Sequence, residues 1–329
     1  MKAFEYAAPR REEEVVDLLS TATGRSELIA GGTDLIGLMK KMVITPDRVV
    51  NIKEVSSLRG ISADSQYVRI GATTTLDDVL DSSEINQFPS IQQATRGINS
   101  PQLQAQGTFG GELCQRPRCW YFRNGHGLLA GQGRMVAEGD NRFHSIFGNA
   151  GPAKFVCPSR LAPALIALES RVRIIGPGPQ DESMIPLELF YRTPRDSHQH
   201  ENILLPNQLL THVEIPLANG AANATYEVRH GVGPDYPLVA AAAVLWIDGG
   251  IVRRARIVLG QVAPTPWIAE EAASVLVGQS INHNTAEAAA RAAVAKATPM
   301  SNNRYKVQLA RVAVERSILL AAGLETGGF

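Results

Sequence analysis

"LIAGGTDLIGLM", Leu28 to Met39, is the stretch on which the reading of this chain turns. An apolar strand runs into Gly31-Gly32-Thr33-Asp34, and apolar residues then resume with helical texture. Two glycines at a strand exit let a ligand approach backbone N–H groups, and the start of a helix favours an anion there. Thr33 adds a hydroxyl donor. No Lys-Ser or Lys-Thr pair follows and the spacing is not G-x-G-x-x-G, so a plain left-handed turn between strand and helix also accounts for the stretch. A second segment, "SPQLQAQGTFGGEL" from Ser100 to Leu113, again sets a threonine, Thr108, beside paired glycines, Gly110 and Gly111. Two such turns suggest two loops gripping one long anion, such as a dinucleotide pyrophosphate. Two unrelated turns are the alternative.

The surroundings read as mixed helix and sheet. Arginine and glutamate open a helix over Pro9–Ala22, with Val15, Val16, Leu18 and Leu19 as its apolar face. "ELIAG", a helix over Leu35–Met42 and the strand "DRVVNI" (Asp47–Ile52) make a small β-α-β unit. "YVRIGA" (Tyr67–Ala72) alternates as a strand, and Thr75 with Asp78 forms a capping-box signature before "TLDDVL". Between Cys119 and Cys157 lie seven glycines without a clean period, a loop long enough to be functional or mobile. "LAPALIALES" then reads as a helix and "RVRII" as a strand. "NGAANA", Asn219 to Ala224, marks a boundary, followed by three antiparallel strands with a tight "DGG" turn. Two helices close the chain, the first capped by Asn284 and Glu287, the second ending at Gly323.

Composition limits the partners. The 329 residues carry 32 basic and 32 acidic side chains, so no broad charge draws the chain to nucleic acid or an anionic membrane. The longest apolar run, "PLVAAAAVLW" from Pro237 to Trp246, falls well short of the roughly 20 residues of a membrane span. "MKAFEYAAPRREEEVV" has charges where a signal peptide has its apolar core, and three cysteines argue against a disulfide framework. The cytoplasm is the default compartment, although a subunit exported to the periplasm inside a folded complex reads the same way.

Taken together, "MKAFEYAAP", "LIAGGTDLIGLMK", "VRIGATTTLDDV", Ser100 to Leu113, Cys157 to Leu165, "YPLVAAAAVL" and "LGQVAPTPWIAEEA" resemble, in order and almost end to end, the FAD-binding subunit of the molybdenum hydroxylases. That family includes xanthine dehydrogenases, carbon monoxide dehydrogenases and aldehyde oxidoreductases. The resemblance implies an α+β fold: a PCMH-type (vanillyl-alcohol-oxidase) FAD-binding domain over 1–218, with subdomains of about 1–58 and 59–218 and an insert of about 114–157. A C-terminal antiparallel sheet with helices, like that of the CO dehydrogenase flavoprotein, would fill 224–329. It implies an oxidoreductase subunit in a heterotrimer. FAD receives electrons from [2Fe-2S] clusters on a small subunit, fed by molybdopterin on a large subunit where substrate is oxidised, and passes them to NAD, a quinone, oxygen or another external acceptor.

Carried over by position, Ala30, Gly31, Gly32, Thr33 and Asp34 cradle the FAD pyrophosphate by backbone N–H groups, and Thr108, Gly110 and Gly111 form the opposing loop. Ser159 falls where the family's serine touches the cofactor. Leu204 packs near it, and Tyr236 lies in the segment approaching the isoalloxazine; simple core packing is the alternative for these two. The chain departs from the family at Gln104-Ala105 (usually Arg-Asn), Glu112 (usually Asn) and Arg160 (usually Asp). Glu112 adds repulsion near a pyrophosphate, and Arg160 offsets it as a cation.

"LCQRPRCWYF" resembles a subset of the family, typified by periplasmic aldehyde oxidoreductases, whose insert carries a [4Fe-4S] cluster on four cysteines. Cys119 and Cys157 match the outer two, and no cysteine lies between them. With Cys114 the chain offers three thiols, and His126 or His144 would have to complete the set, so the reading is cluster lost and loop retained. Zinc on the same residues lacks the usual C-x₂₋₄-C pairing. The aromatics of "CWYF" and the arginines beside them suit an interface or internal packing alike. No catalytic pair of side chains is evident, which fits a subunit whose chemistry belongs to its cofactor. Two rivals remain: a scaffold subunit with weak or lost FAD binding, and a self-sufficient FAD-dependent oxidase.

Overall fold

The protein is described by a computed structural model covering residues 1–21 and 24–327. Its first layer is a three-stranded parallel sheet. It consists of β1 (Glu5–Ala7), helix α1 (Glu12–Ser20), β2 (Ser26–Ile29), helix α2 (Leu35–Lys40) and β3 (Arg48–Asn51), with strand order β1-β3-β2. Val15, Val16 and Leu19 bury the inner face of α1, and Glu12, Glu13 and Glu14 sit in its first turn where the helix dipole favours anions. The helix expected over Pro9–Ala22 is thus shorter, and Ala22 lies outside the described residues. Strand β1 went unforeseen, because three residues show no period.

A second layer is a five-stranded antiparallel sheet of order β4-β5-β8-β6-β7. Its strands are β4 (Ile61–Ala63), β5 (Tyr67–Gly71), β6 (Arg171–Ile175), β7 (Glu182–Pro186) and β8 (Leu209–Pro216). Between β5 and β6 come helices α3 (Leu76–Asp81), α4 (Pro89–Arg96), α5 (Pro101–Gln106), α6 (Phe109–Leu113), α7 (Trp120–Arg123), α8 (Arg134–Glu138) and α9 (Leu161–Ala167). The Thr75–Asp78 capping box opens α3 as expected. All seven residues of α9 are buried, which makes this helix the centre of the main core.

The C-terminal layer is a four-stranded antiparallel sheet of β9 (Ala222–Val228), β10 (Val239–Asp248), β11 (Ile251–Gly260) and β12 (Trp267–Ile268). Three helices cover it rather than two: α10 (Glu270–Leu276) precedes α11 (His283–Val294) and α12 (Tyr305–Ala321). The capping box of α11 is Asn282 with Thr285, not Asn284 with Glu287, since the extended backbone at Asn282 starts the helix two residues earlier. Gly323, at φ +70°, ends α12 as anticipated. No helix among the described residues is long and apolar enough to cross a membrane.

The insert is packed rather than loose. Leu129, Ala153 and Phe155 form a small core of their own, and Ile146 and Phe147 belong to the C-terminal core. Ile146 N–H donates to Val262 O at 2.7 Å, tying the insert to the strand exit of β11.

Candidate functional site

A cleft of about 660 Å³ runs between the first glycine turn, the second, and the segment around Leu204. It continues into a smaller cavity of about 250 Å³ lined by Glu112, Arg118, Arg160 and Tyr236. Thr33, Thr108, Gly111 and Gln115 line both, so the two form one elongated space with the glycine turns at its waist.

The first turn shapes that space with its backbone. Gly32 has φ +70°, which a side chain rarely tolerates. A Cβ on Gly31 would stand 1.7 Å from the carbonyl oxygen of Gln106, at the end of α5, so the first turn is pressed directly against the approach to the second. Among the described residues, the N–H groups of Gly31, Gly32, Thr33 and Asp34 donate to no protein acceptor. Successive N–H groups of this kind make an anion-binding concavity.

The second turn is closed by comparison. Phe109 N–H donates to Thr74 O at 2.9 Å, Gly110 N–H to Ala72 O at 2.9 Å, and Glu112 N–H to Thr108 O at 2.8 Å. Gly111 N–H reaches the Thr108 hydroxyl at 3.3 Å. Gly110 lines neither cavity, and a Cβ there would meet Ala72 at 2.7 Å. This turn therefore presents the Thr108 side chain and the bare face of Gly111 to the cleft.

Asp34 faces the other way. Its carboxylate accepts from Arg123 at 2.7 Å and from the backbone N–H of Arg116 at 2.8 Å, with Arg118 at 3.3 Å. Arg116 in turn pairs with buried Glu201, whose carboxyl is pushed up by burial. Three arginines of the insert thus hold it to the first glycine turn. Sequence reasoning missed them, and the available signal was the arginine density of "QRPRCWYFR".

At the smaller cavity two guanidiniums approach the Tyr236 ring, Arg118 4.8 Å and Arg160 5.2 Å from its centre. Its hydroxyl accepts from Arg118 at 2.6 Å and donates to Gln115, and burial pushes it up to about 12. Glu112 is buried here. Its carboxylate accepts from the backbone N–H of Arg160 at 2.9 Å and from Gln115, yet burial outweighs these bonds and raises the group to about 7. The Arg160 guanidinium forms no ion pair with Glu112 among the described residues, although its charge still favours the Glu112 carboxylate. It donates to the carbonyls of Gly97 and Asp235 and lies 3.9 Å from Glu227.

Ser159 lines neither cavity; its hydroxyl accepts from Ala162 N–H at 3.1 Å and caps α9. Ala30 and Leu204 line the larger cleft. The cysteines separate. Cys114 and Cys157 sit in the main core, both raised to about 12 by burial, whereas the Cys119 sulfur lies 3.1 Å from His144 Nε2. His126 is exposed on the far part of the insert. Among the described residues no three His, Cys, Asp or Glu side chains gather as metal ligands.

Known proteins resemble this chain along its length. The family described as "FAD binding domain in molybdopterin dehydrogenase" matches residues 2–218, and "CO dehydrogenase flavoprotein C-terminal domain" matches 224–321. The aldehyde oxidoreductase FAD-binding subunit PaoB of Escherichia coli is 30% identical, over 94% of this chain and 96% of its own. The carbon monoxide dehydrogenase medium chain of Hydrogenophaga pseudoflava is 26% identical, over 96% of each. A solved carbon monoxide dehydrogenase from the same organism superposes with a TM-score of 0.77 over 98% of each chain. A cleft with one open N–H turn, a closed second turn and an antiparallel C-terminal module is thus set in a fold shared end to end, and the chain belongs to the family of FAD-binding domains in molybdopterin dehydrogenases.

Proposed function

We infer that this chain is the FAD-bearing electron-transfer subunit of a molybdenum hydroxylase complex. Its partners are an iron-sulfur small subunit carrying [2Fe-2S] clusters and a molybdopterin-bearing large subunit, and it delivers electrons to an external acceptor. The observation that carries the reading is the elongated cleft with four unpaired N–H groups at Gly31 to Asp34 and an aromatic ring, Tyr236, at the other end.

The residues present fit FAD. The free N–H groups of the first turn suit a pyrophosphate, and Thr33 and Thr108 add hydroxyls at the waist. Gly111 lines the waist without a side chain, and Gly32 permits the left-handed backbone of the first turn, where a Cβ would meet Ile36 and Ile29. Leu204 gives an apolar wall beyond the first turn, and Tyr236 with Arg118 and Arg160 bounds the cavity suited to a planar ring. Bound there, FAD supplies two-electron chemistry together with one-electron exchange with iron-sulfur clusters. The chain's own part is to position it, to limit water around the ring through Ile98, Leu103 and Tyr236, and to hold Asp34 neutralised by Arg123. Ser159 and Gly110 serve at one remove, by setting α9 and the second turn.

One observation favours the scaffold reading with weak FAD binding: Glu112 places a carboxylate in the ring-end cavity. Flavin released from the purified native complex, counted per copy of this chain, separates the two. One FAD per chain supports the relay; less than a tenth, with the fold intact by circular dichroism, supports the scaffold.

A further inference from the structure

The insert brings to the flavin cleft one cation that stays accessible. Arg118 lines the ring-end cavity, and its side chain is 35% exposed. Its guanidinium is fixed by groups from three separate segments of the chain. It donates to the Tyr236 hydroxyl at 2.6 Å and to Gln115 Oε1 at 2.9 Å, and it lies 3.3 Å from the Asp34 carboxylate. The same group stands 4.8 Å from the centre of the Tyr236 ring. Gln115 and Tyr236 line the ring-end cavity and Asp34 lines the larger cleft, so the charge is held among cleft-lining side chains.

The charges around that cavity do not balance. Two guanidiniums, Arg118 and Arg160, line it together with one carboxyl, Glu112. Arg160 is committed elsewhere: its side chain is 2% exposed, donates to the carbonyls of Gly97 and Asp235, and lies 3.9 Å from Glu227. Asp34 does not depend on Arg118, because it already accepts from Arg123 at 2.7 Å and from the Arg116 N–H at 2.8 Å. Burial raises Glu112 to about 7, so near neutral pH it carries only part of a negative charge. A positive charge therefore remains at the ring end of the cleft, on Arg118.

That excess matters more in one redox state of a flavin than in the other. Two electrons and one proton turn a neutral isoalloxazine into a ring with one negative charge, and charge beside the ring is a means by which a protein tunes it. A cation in a partly buried site favours a neighbouring anion.

We propose that Arg118 is a potential-setting residue of the flavin site: its guanidinium, held among Asp34, Gln115 and Tyr236, makes the chain bind reduced FAD more tightly than oxidised FAD. The flavin then accepts electrons at a higher potential than it would without that charge. This inference rests on the assignment of the cleft to FAD. It gives the insert a part in electron transfer as well as in bracing the first turn.

Affinities of the full-length chain for oxidised FAD and, in anaerobic dithionite, for reduced FAD test this, read as the ratio of reduced to oxidised. Arg118→Gln should lower that ratio about tenfold, the low end of what one opposite charge does to a neighbouring group. By linkage, the midpoint potential of the bound flavin should fall by about 30 mV. Arg118→Met should give the same fall, whereas Arg118→Lys, which keeps a point charge, should hold the ratio within about threefold of the parent. A purely structural arginine would weaken both forms alike, so an unchanged ratio in the two uncharged variants would overturn the inference. A lysine variant that loses the ratio as fully as glutamine would also overturn it, because charge would not be the cause. A parent chain that holds neither form of FAD would overturn the cofactor assignment itself, and this proposal with it.

Discussion

Among the described residues, the N–H groups of Gly31 to Asp34 in the first glycine turn have no protein acceptor, whereas those of Phe109 to Glu112 in the second are all taken. The two stretches look alike in sequence, each a threonine beside paired glycines. They divide the work differently. The first leaves a row of free N–H groups beside one carboxylate, Asp34, which arginines of the insert neutralise. The second is a structural corner that presses Gly110 onto Ala72 and leaves Gly111 as a smooth surface. Gly31 and Gly110 answer to close backbone packing, Gly32 to a left-handed turn packed on Ile36 and Ile29, and Gly111 to the cleft it lines. That division can be tested residue by residue.

The largest effect is expected at Gly31→Ala. The new Cβ would sit 1.7 Å from the Gln106 carbonyl, a backbone atom that moves only if α5 moves. Destabilisation above about 3 kcal/mol is expected, in the range of severe packing defects. Thermal melting should show it as a drop of several degrees, with flavin lost as well. A melting temperature within a degree of the parent would show that the two turns are not pressed together.

Glu112→Gln comes next and reads the closed turn. The folded-state value is raised from 4.5 to about 7, so between those pH values the folded chain keeps a proton that the unfolded chain releases. Stability therefore falls as pH rises through this window, by about 3 kcal/mol in total at roughly 1.4 kcal/mol per unit. Glutamine removes this term. The variant should be more stable than the parent at pH 8 by about 2–3 kcal/mol and equal to it near pH 4. Taking the difference between the two proteins cancels His144 and Lys306, which are lowered to about 4 and 7 and titrate in both. A pH-independent difference in chemical denaturation would show that Glu112 does not hold its proton. Glu112→Asn, the residue usual in the family, should also tighten flavin binding above pH 7.

Asp34→Asn tests the clasp on the open turn. It leaves Arg123 mostly buried without its anion while keeping the side chain's shape. A loss of about 2 kcal/mol is expected, below the 3–5 kcal/mol of fully buried pairs because both groups keep some water. Limited proteolysis should cut the insert faster in the variant than in the parent. Unchanged cleavage there would remove the insert's role in bracing the first turn.

The fold was largely legible where local chemistry decides it. The Gly31-Gly32 strand exit, the Thr75–Asp78 cap and the alternating strands around Asp248 all carry their signals within a few residues. Contacts across long stretches of chain left no such signal. Arg123 reaches Asp34 over 89 positions, and beforehand it read only as a charge in an aromatic run. Strand β1 exists because it pairs with β3 in parallel, Glu5 against Arg48, and three residues alone do not announce that. The cleft residues were mostly named, but which N–H groups remain free depended on where Phe109 and Gly110 found their acceptors. Arg160 shows the same gap: its charge is directed toward Glu227 and two carbonyls by packing that no motif encodes.

The smallest change in stability, and the most informative, is expected at Gly111→Ala. Alanine is favoured over glycine within a helix by up to about 1 kcal/mol, which helps α6. Against this, the Cβ meets the Thr108 hydroxyl at 2.7 Å and displaces the cap it forms with Gly111 N–H. The two effects are similar in size, so melting should shift by less than about 1 kcal/mol. Flavin content should nevertheless fall severalfold, because Gly111 lines both parts of the cleft and the methyl group stands at their junction. A variant that melts like the parent yet holds less flavin would show that the second turn, though closed in its hydrogen bonds, still bounds the cofactor through its bare surface. Full flavin retention would confine the cofactor site to the first turn and make the second a corner of the fold alone.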